Sequence, residues 1–350
     1  MEELQQRIIR LNRSIYLTIA QIDELKGRWA GSANLSPQVL SRLRRSVLAT
    51  STGASTRIEG SQLSDEDVEK LMRGLSMQKL ADRDTQEVRG YYEALQTVFE
   101  SYADMPLSES LILHMHNQLL KYSDKDERHK GNYKNLENRV EMTDPSGKVL
   151  TVLFDTTPAY LTPKAMQELI AWTNTTLESS ESHPLIAIAA FVVEFLKIHP
   201  FLDGNGRLSR VLTNLLLLRA GYEYIPYVSF EKLIEDTKAE YYIALRKSQT
   251  TFGTKAESIG TWADYFLGVS LAQVKQAVAL LSGQEIEKLL SPNQLKVWAY
   301  LDTVVEATPG QIAEATGVAR PTVSQALARL TEMRQIERVG IGSTTRYRKL

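Results

Sequence analysis

His199-Pro200-Phe201-Leu202-Asp203-Gly204-Asn205-Gly206-Arg207-Leu208-Ser209-Arg210 lies between two strongly apolar runs, Leu185 to Ile198 and Val211 to Leu218. Both runs read as buried helices. The turn between them carries a histidine, a carboxylate, two glycines, an asparagine and two arginines. The glycines let the backbone bend sharply and bring its N–H groups close to a ligand. The helix that starts after them points free N–H groups and a positive dipole end back at the same place. With Arg207 and Arg210 as charged walls, the stretch reads as a nest for phosphate.

Other readings of the stretch fail on its details. A dinucleotide fingerprint needs a third glycine where Ser209 stands, and a strand before it. A Walker A loop needs Gly-Lys-Ser/Thr, which is absent. His199 and Asp203 as ligands of a catalytic zinc lack a third ligand nearby. The plain alternative is a glycine-rich turn with a hydrogen-bonded histidine, and four separate polar groups on one turn weigh against it.

At every fixed position the stretch is similar to the Fic signature His-x-Phe-x-Asp/Glu-Gly-Asn-Gly-Arg-x-x-Arg. The resemblance extends over roughly residues 40 to 270, through His183-Pro184-Leu185, Tyr241-Tyr242 and Trp262 to Leu267. It implies transfer of AMP from ATP to a Ser, Thr or Tyr hydroxyl of a target protein and of the chain itself. His199 is then the general base, and Asp203 the Mg²⁺ ligand. Gly204, Asn205, Gly206, Arg207 and Arg210 bind the phosphates of ATP. Removal of AMP is implied as a secondary activity. Tyr241 and Gln249 fall where the family contacts adenine.

The chain has 350 residues, 43% apolar and 24% charged, which suits a globular protein of two domains. Its net charge of −1 argues against attraction of the whole protein to nucleic acid or membrane. With no cysteine, disulfides, thiolate catalysis and cysteine-ligated zinc are excluded. Residues 1–6 lack the build of a signal peptide, and the longest apolar run, broken by Glu194 and Lys197, is short for a bilayer span. A cytoplasmic protein without membrane contact is expected.

Three regions are expected in a mostly α-helical chain. Residues 1–105 read as an N-terminal helical region that includes a short helix at about 51–60. From spacing alone, Ser55 or a neighbouring hydroxyl can cap that helix, Gly60 can end it, and Ser55 and Glu59 share a face. The segment also resembles the Fic inhibitory motif Ser/Thr-x-x-x-Glu-Gly/Asn. That resemblance implies autoinhibition by Glu59 pairing with Arg210 in the place of a γ-phosphate oxygen. Residues 106–285 read as the Fic catalytic domain. His114 and His116, two apart on a helix, are poor joint metal ligands and are read as structural.

Residues 138–154 read as a β-hairpin around the turn Asp144-Pro145-Ser146-Gly147. In Fic proteins the corresponding flap, here represented by Val140, aligns the target protein, as an added strand would. Residues 290–350 read as a winged helix-turn-helix domain, with a capping box at Thr308 to Gln311, a buried face of Val323, Leu327 and Leu330, and a wing around Gly340 to Gly342. From Arg320 to Leu350 there are seven Lys/Arg and two Asp/Glu, a net +5. Arg320, Ser324, Gln325 and Arg329 are the candidate DNA contacts. DNA binding, protein contact and homo-oligomer formation stay open for this domain. A DNA-binding regulator with a nucleotide-sensing Fic site is the alternative to an enzyme that signals outward.

Overall fold

The structure is a computed structural model and describes residues 7–8, 11–32, 35, 37–73, 83–123, 128–143, 149–179, 182–332, 335–339 and 345–349; of residues 32, 38, 140–143, 149–155 and 282–289 it describes the backbone. Two compact units emerge, Met1–Val278 and Ala279–Leu350. Among the described residues no helix is long and apolar enough to cross a membrane.

The larger unit is helical around α7 (Pro184–Ile198), in which every residue but Pro184 and Lys197 is buried. A helix so apolar on all sides can only be central. α8 (Asn205–Arg219) follows it across the signature loop and is also almost entirely buried. Around this pair lie α1 (Arg13–Ser32), α2 (Pro37–Ile58), α3 (Asp65–Met72), α4 (Arg83–Ser101), α5 (Glu109–Leu119) and α6 (Thr162–Ser179), and after it α9 (Phe230–Asp236), α10 (Lys238–Gln249) and α11 (Gly260–Leu289). α4 and α5 pack closely, since a side chain on Gly90 would run into the Leu119 carbonyl. The Trp262 indole N–H is buried and donates to the Ala189 carbonyl at 2.7 Å, fixing α11 against α7.

β1 (Arg139–Thr143) and β2 (Val149–Asp155) form the expected hairpin, antiparallel with Arg139 opposite Asp155, and with register shifts after Val140 and after Met142. Such shifts twist a ribbon locally. The turn Asp144 to Gly147 and the Val140 side chain lie outside what is described.

One expectation is corrected. Residues 51–60 are not a short helix capped by Ser55 but mostly the last turns of the 22-residue α2. The hydroxyls beside Ser55 bond back along the helix: Thr52 to the Leu48 carbonyl at 2.7 Å, and Thr56 to the Thr52 carbonyl at 2.9 Å. This is the pattern of Ser and Thr inside a continuous helix. Gly60, at φ 107, does end the turn that follows.

The smaller unit holds α12 (Pro292–Leu301), α13 (Pro309–Thr316) and α14 (Arg320–Glu332), then β3 (Ile336–Val339) paired antiparallel with β4 (Arg346–Lys349). Thr308 and Gln311 form the capping box, and Gly317 ends α13 in the left-handed region. Val297, Trp298, Ile312, Val323, Leu327, Leu330 and Ile336 make its core. Gly340 to Gly342 lie outside the described residues.

Candidate functional site

α7 ends on His199 in a left-handed conformation, φ 52, the only non-glycine with positive φ among the described residues. That region is uncommon for a side-chain-bearing residue and is held only where the surroundings demand it. The His199 amide donates to the Phe195 carbonyl at 2.9 Å, while the ring Nδ1 lies 3.3 Å from the Leu196 carbonyl. A carbonyl only accepts, so Nδ1 carries the proton and Nε2 keeps its lone pair. Burial lowers the imidazole pKa to about 4; the Leu196 carbonyl opposes this and the nearby Lys134 cation adds to it. The ring is neutral at pH 7, with a basic nitrogen available.

The loop after His199 is braced from both sides. Phe201 is fully buried, stacked on the His116 ring at 3.7 Å between centroids. Its amide donates to Asn205 Oδ1 at 3.0 Å, and Asn205 Nδ2 donates to its carbonyl at 2.7 Å. The Gly131 amide donates to His116 Nδ1 at 3.0 Å, so Nε2–H donates to the Asp203 carbonyl, also at 3.0 Å. Asn205, expected at the phosphates, uses its side chain to shape the loop.

On the other side α8 begins at Gly204, φ 80, with no side chain capping its first amides. Those amides and the dipole end form an anion site. Arg207 and Arg210 line it, each 2% exposed. Arg210 Nε donates to Ser55 Oγ at 2.8 Å, and Nη2 to the Ser55 carbonyl at 3.0 Å and to Glu59 Oε1 at 2.7 Å. Burial alone would lower the Arg210 pKa, but Glu59 raises it further. A side chain on Gly206 would collide with Glu59 Oε1, so this carboxylate lies against the first turn of α8.

Arg207 Nη2 donates to Asp203 Oδ2 at 3.0 Å, and Nη1 pairs with Glu87 Oε2 at 2.9 Å. Arg83 Nη2 stands 3.7 Å from the same Asp203 oxygen. Burial pushes the Asp203 carboxyl up, yet Arg207, the Gly204 amide and Arg83 together hold it below the usual carboxylate range. Among the described residues, Arg207 Nε and Arg210 Nη1 are buried with no hydrogen-bond partner. Orphaned guanidinium N–H groups beside uncapped helix amides fit phosphate oxygens. Asp203 alone cannot cage a metal, and no group of three His, Cys, Asp or Glu side chains does so among the described residues. One carboxylate beside a phosphate nest does suit Mg²⁺ held jointly with phosphates.

Tyr241, on α10, is 3% exposed and closed in by the rings of Tyr242, Trp262 and Tyr265. Gln249 is buried too, and its amide donates to the Val193 carbonyl at 3.4 Å. Neither presents a free face for a base in this arrangement. Tyr242, 40% exposed, does. Sequence reasoning missed it, although it adjoins Tyr241, and it also missed Glu87, Lys134 and Asn138.

In the smaller unit Arg320, Ser324, Gln325 and Arg329 are all exposed on α14. Four basic side chains there are paired with acids: Arg329 with Glu332, Arg346 with Glu306, Arg348 with Glu337 and Lys349 with Asp302. Two of those acids precede Arg320, so the +5 count overstated the charge available to a polyanion.

Comparison with known proteins bears on the larger unit. The model of the Fic/DOC family matches residues 106–217. The Drosophila willistoni protein adenylyltransferase Fic is 32% identical over 140 residues, 38% of this chain and 27% of that one. The chain thus covers about a quarter of the length of the curated relatives it matches. A Fic family protein from Desulfovibrio desulfuricans G20 aligns over 97% of both chains at 26% identity and a TM-score of 0.64. Fic-1 of C. elegans, at 21% identity and a TM-score of 0.61, shares the fold over 77% of this chain. With its signature loop set between two buried helices as described, the chain matches the Fic/DOC family through residues 106–217 and is similar to its members there.

Proposed function

We propose that the chain is a protein adenylyltransferase, transferring AMP from ATP to a Ser, Thr or Tyr hydroxyl of a target protein and of itself. The observation that carries this reading is the juxtaposition of a neutral His199, its Nε2 free, with the anion site of α8, Arg207 and Arg210. The printed name of the relatives, protein adenylyltransferase Fic, supports it.

In this mechanism the phosphates of ATP rest on the amides of Gly204 and Gly206 and on the guanidinium groups of Arg207 and Arg210. His199 Nε2 takes the proton of the acceptor hydroxyl. The oxygen attacks the α-phosphorus, the bond from that phosphorus to the bridging oxygen breaks, and diphosphate leaves. Mg²⁺ at Asp203 would offset charge on the phosphates. Tyr242 offers the base an aromatic face, with Tyr241 and Gln249 behind it as the second layer of that wall. The target docks along the β1–β2 hairpin as an extended segment.

Glu59 restrains the reaction. Its carboxylate holds Arg210 and lies against Gly206, where a γ-phosphate would otherwise approach. In the reverse direction, removal of AMP, the same carboxylate would orient water. The test is incubation with labelled ATP and magnesium, followed by intact mass: addition of one AMP per modified hydroxyl supports the assignment, and an unchanged mass in wild type and Glu59→Gly rejects it.

A second reading concerns the smaller unit. The helices α12, α13 and α14 and the terminal strand pair suit a winged helix, and the exposed polar face of α14 favours a contact through Arg320, Ser324, Gln325 and Arg329. With four basic side chains already paired, affinity for duplex DNA is expected to be weak and to fall steeply with salt. Gel shifts of the full chain decide it: no shift at low salt and high micromolar protein leaves a protein contact or a second copy as the occupant.

A further inference from the structure

A helix that ends leaves its last carbonyls unpaired. α7 ends at Ile198, and the four carbonyls that follow into the signature loop are all taken by one short segment, Lys134 to Asn138. The Lys134 amine donates to the Ile198 carbonyl at 3.0 Å, and the Lys134 amide to the Pro200 carbonyl at 2.8 Å. Asn138 Nδ2 donates to the His199 carbonyl at 3.4 Å and to the Phe201 carbonyl at 2.9 Å. The remaining two N–H groups of the lysine go to Asn138 Oδ1 at 2.7 Å and Thr156 Oγ1 at 2.8 Å. Thr156 in turn donates to the Asn138 carbonyl at 2.8 Å.

The positions of these residues in the chain give the network its meaning. Asn138 directly precedes β1, and Thr156 directly follows β2. Lys134 is 3% exposed, with all three ammonium donors used. Its one cation therefore touches both roots of the hairpin and the end of the helix that carries His199. A cation at a helix C-terminus is also favoured by the dipole. A surface lysine gains little from such partners, whereas a buried one cannot be moved without leaving several groups unpaired.

We infer that Lys134 is a positioning residue that locks the β1–β2 hairpin in register with the His199 loop, so that an acceptor lying on the hairpin is presented to His199 Nε2. Lys134 acts through Asn138, Thr156 and the Ile198 carbonyl and has no role in holding nucleotide. Burial brings its pKa down to about 8, so it still carries its proton at pH 7. The part about the acceptor rests on the adenylyltransferase reading. The part about the lock does not.

The experiment compares Lys134→Met, Thr156→Val and the double variant, each in the wild-type and the Glu59→Gly chain, by amide hydrogen exchange, ATP binding and AMP incorporation into the chain itself. Loss of protection in β1 and β2 by about tenfold is expected, the scale of one lost charge-assisted hydrogen bond, with α8 still protected. ATP affinity should stay within about twofold, while self-incorporation falls roughly 10- to 100-fold, as for a misplaced acceptor. The double variant should do no more than Lys134→Met, because both remove one lock. Unchanged strand exchange, or additive effects of the two substitutions, overturns the inference. So does equal loss of protection in α8, or an ATP affinity that falls with the rate. Should Lys134→Met not fold, Thr156→Val alone decides, since it deletes only one hydroxyl. A Glu59→Gly chain that incorporates no AMP defeats the functional reading, and the exchange of the strands still decides the lock.

Discussion

Glu59 and Arg210 meet at 2.7 Å, carboxylate to guanidinium, across 151 residues of chain. The arginine is buried and also held by Ser55 through its Nε and Nη2, so it cannot swing away. The glutamate is half-exposed and can. On the proposed function, an approaching phosphate would displace Glu59 and leave Arg210 in place.

From this asymmetry comes the first prediction. Glu59→Gly should raise AMP incorporation, and should do so through productive phosphate geometry more than through nucleotide affinity, because two anions no longer compete for one fork. Glu59→Asp, with equal charge on a shorter stem, should release only part of the restraint. Rates, ATP binding and melting temperature of the three proteins are compared. If Glu59→Gly melts earlier and transfers no more AMP than wild type, the pair is only structural.

How much of this was readable beforehand depended on how local the chemistry is. The signature from His199 to Arg210 is contiguous, so its helix–loop–helix setting followed from the apolar runs on either side. The two-strand hairpin was legible from β-rich alternation in residues 138–154. Ser55 was misread as a cap, because its true environment is set by Arg210, 155 residues away. Lys134, Asn138 and Thr156 are ordinary polar residues whose joint work depends on carbonyls at 198–201, and no spacing announces that. Tyr241 looked like a stacking surface until packing by Trp262 and Tyr265 closed it in.

A stability prediction tests the scaffold independently of any chemistry. Gly90 sits where α4 crosses α5, and an added Cβ would overlap the Leu119 carbonyl, which is backbone and cannot rotate aside. Gly90→Ala usually favours a helix, yet here overpacking should cost about 1–3 kcal/mol. A lowered melting temperature is expected, and a raised one would show that the helices part easily.

Metal dependence follows from Asp203. In this arrangement its carboxylate is shared by Arg207 and Arg83, which keep it ionised without a metal. The fold should therefore keep its melting temperature in a chelator, whereas AMP transfer should stop and return with added magnesium. Asp203→Ala should lose transfer by two orders of magnitude or so, the scale of a lost phosphate-charge stabiliser. A variant equally active in chelator and in magnesium would reject Asp203 as the metal ligand.

His199 supplies the last prediction, in its pH profile. An ordinary histidine base titrates near 6.5, and its rate falls as pH drops below 7. Here burial lowers the pKa to about 4, so the neutral, competent form persists well below pH 6.5. The sign for stability follows from the same shift. The unfolded chain protonates this histidine near 6.5 and the folded chain only near 4, so the unfolded state binds more protons between those values. The contribution to stability is present above pH 6.5 and is lost as pH falls through 4. Transfer at saturating ATP and magnesium should stay flat from pH 7 to about 5, and His199→Ala should cut it by roughly 10²–10⁴-fold while binding ATP as before. An acid limb centred near 6.5 would mean that the ring is solvated in the working enzyme and that the Leu196 contact does not hold its Nδ1 proton.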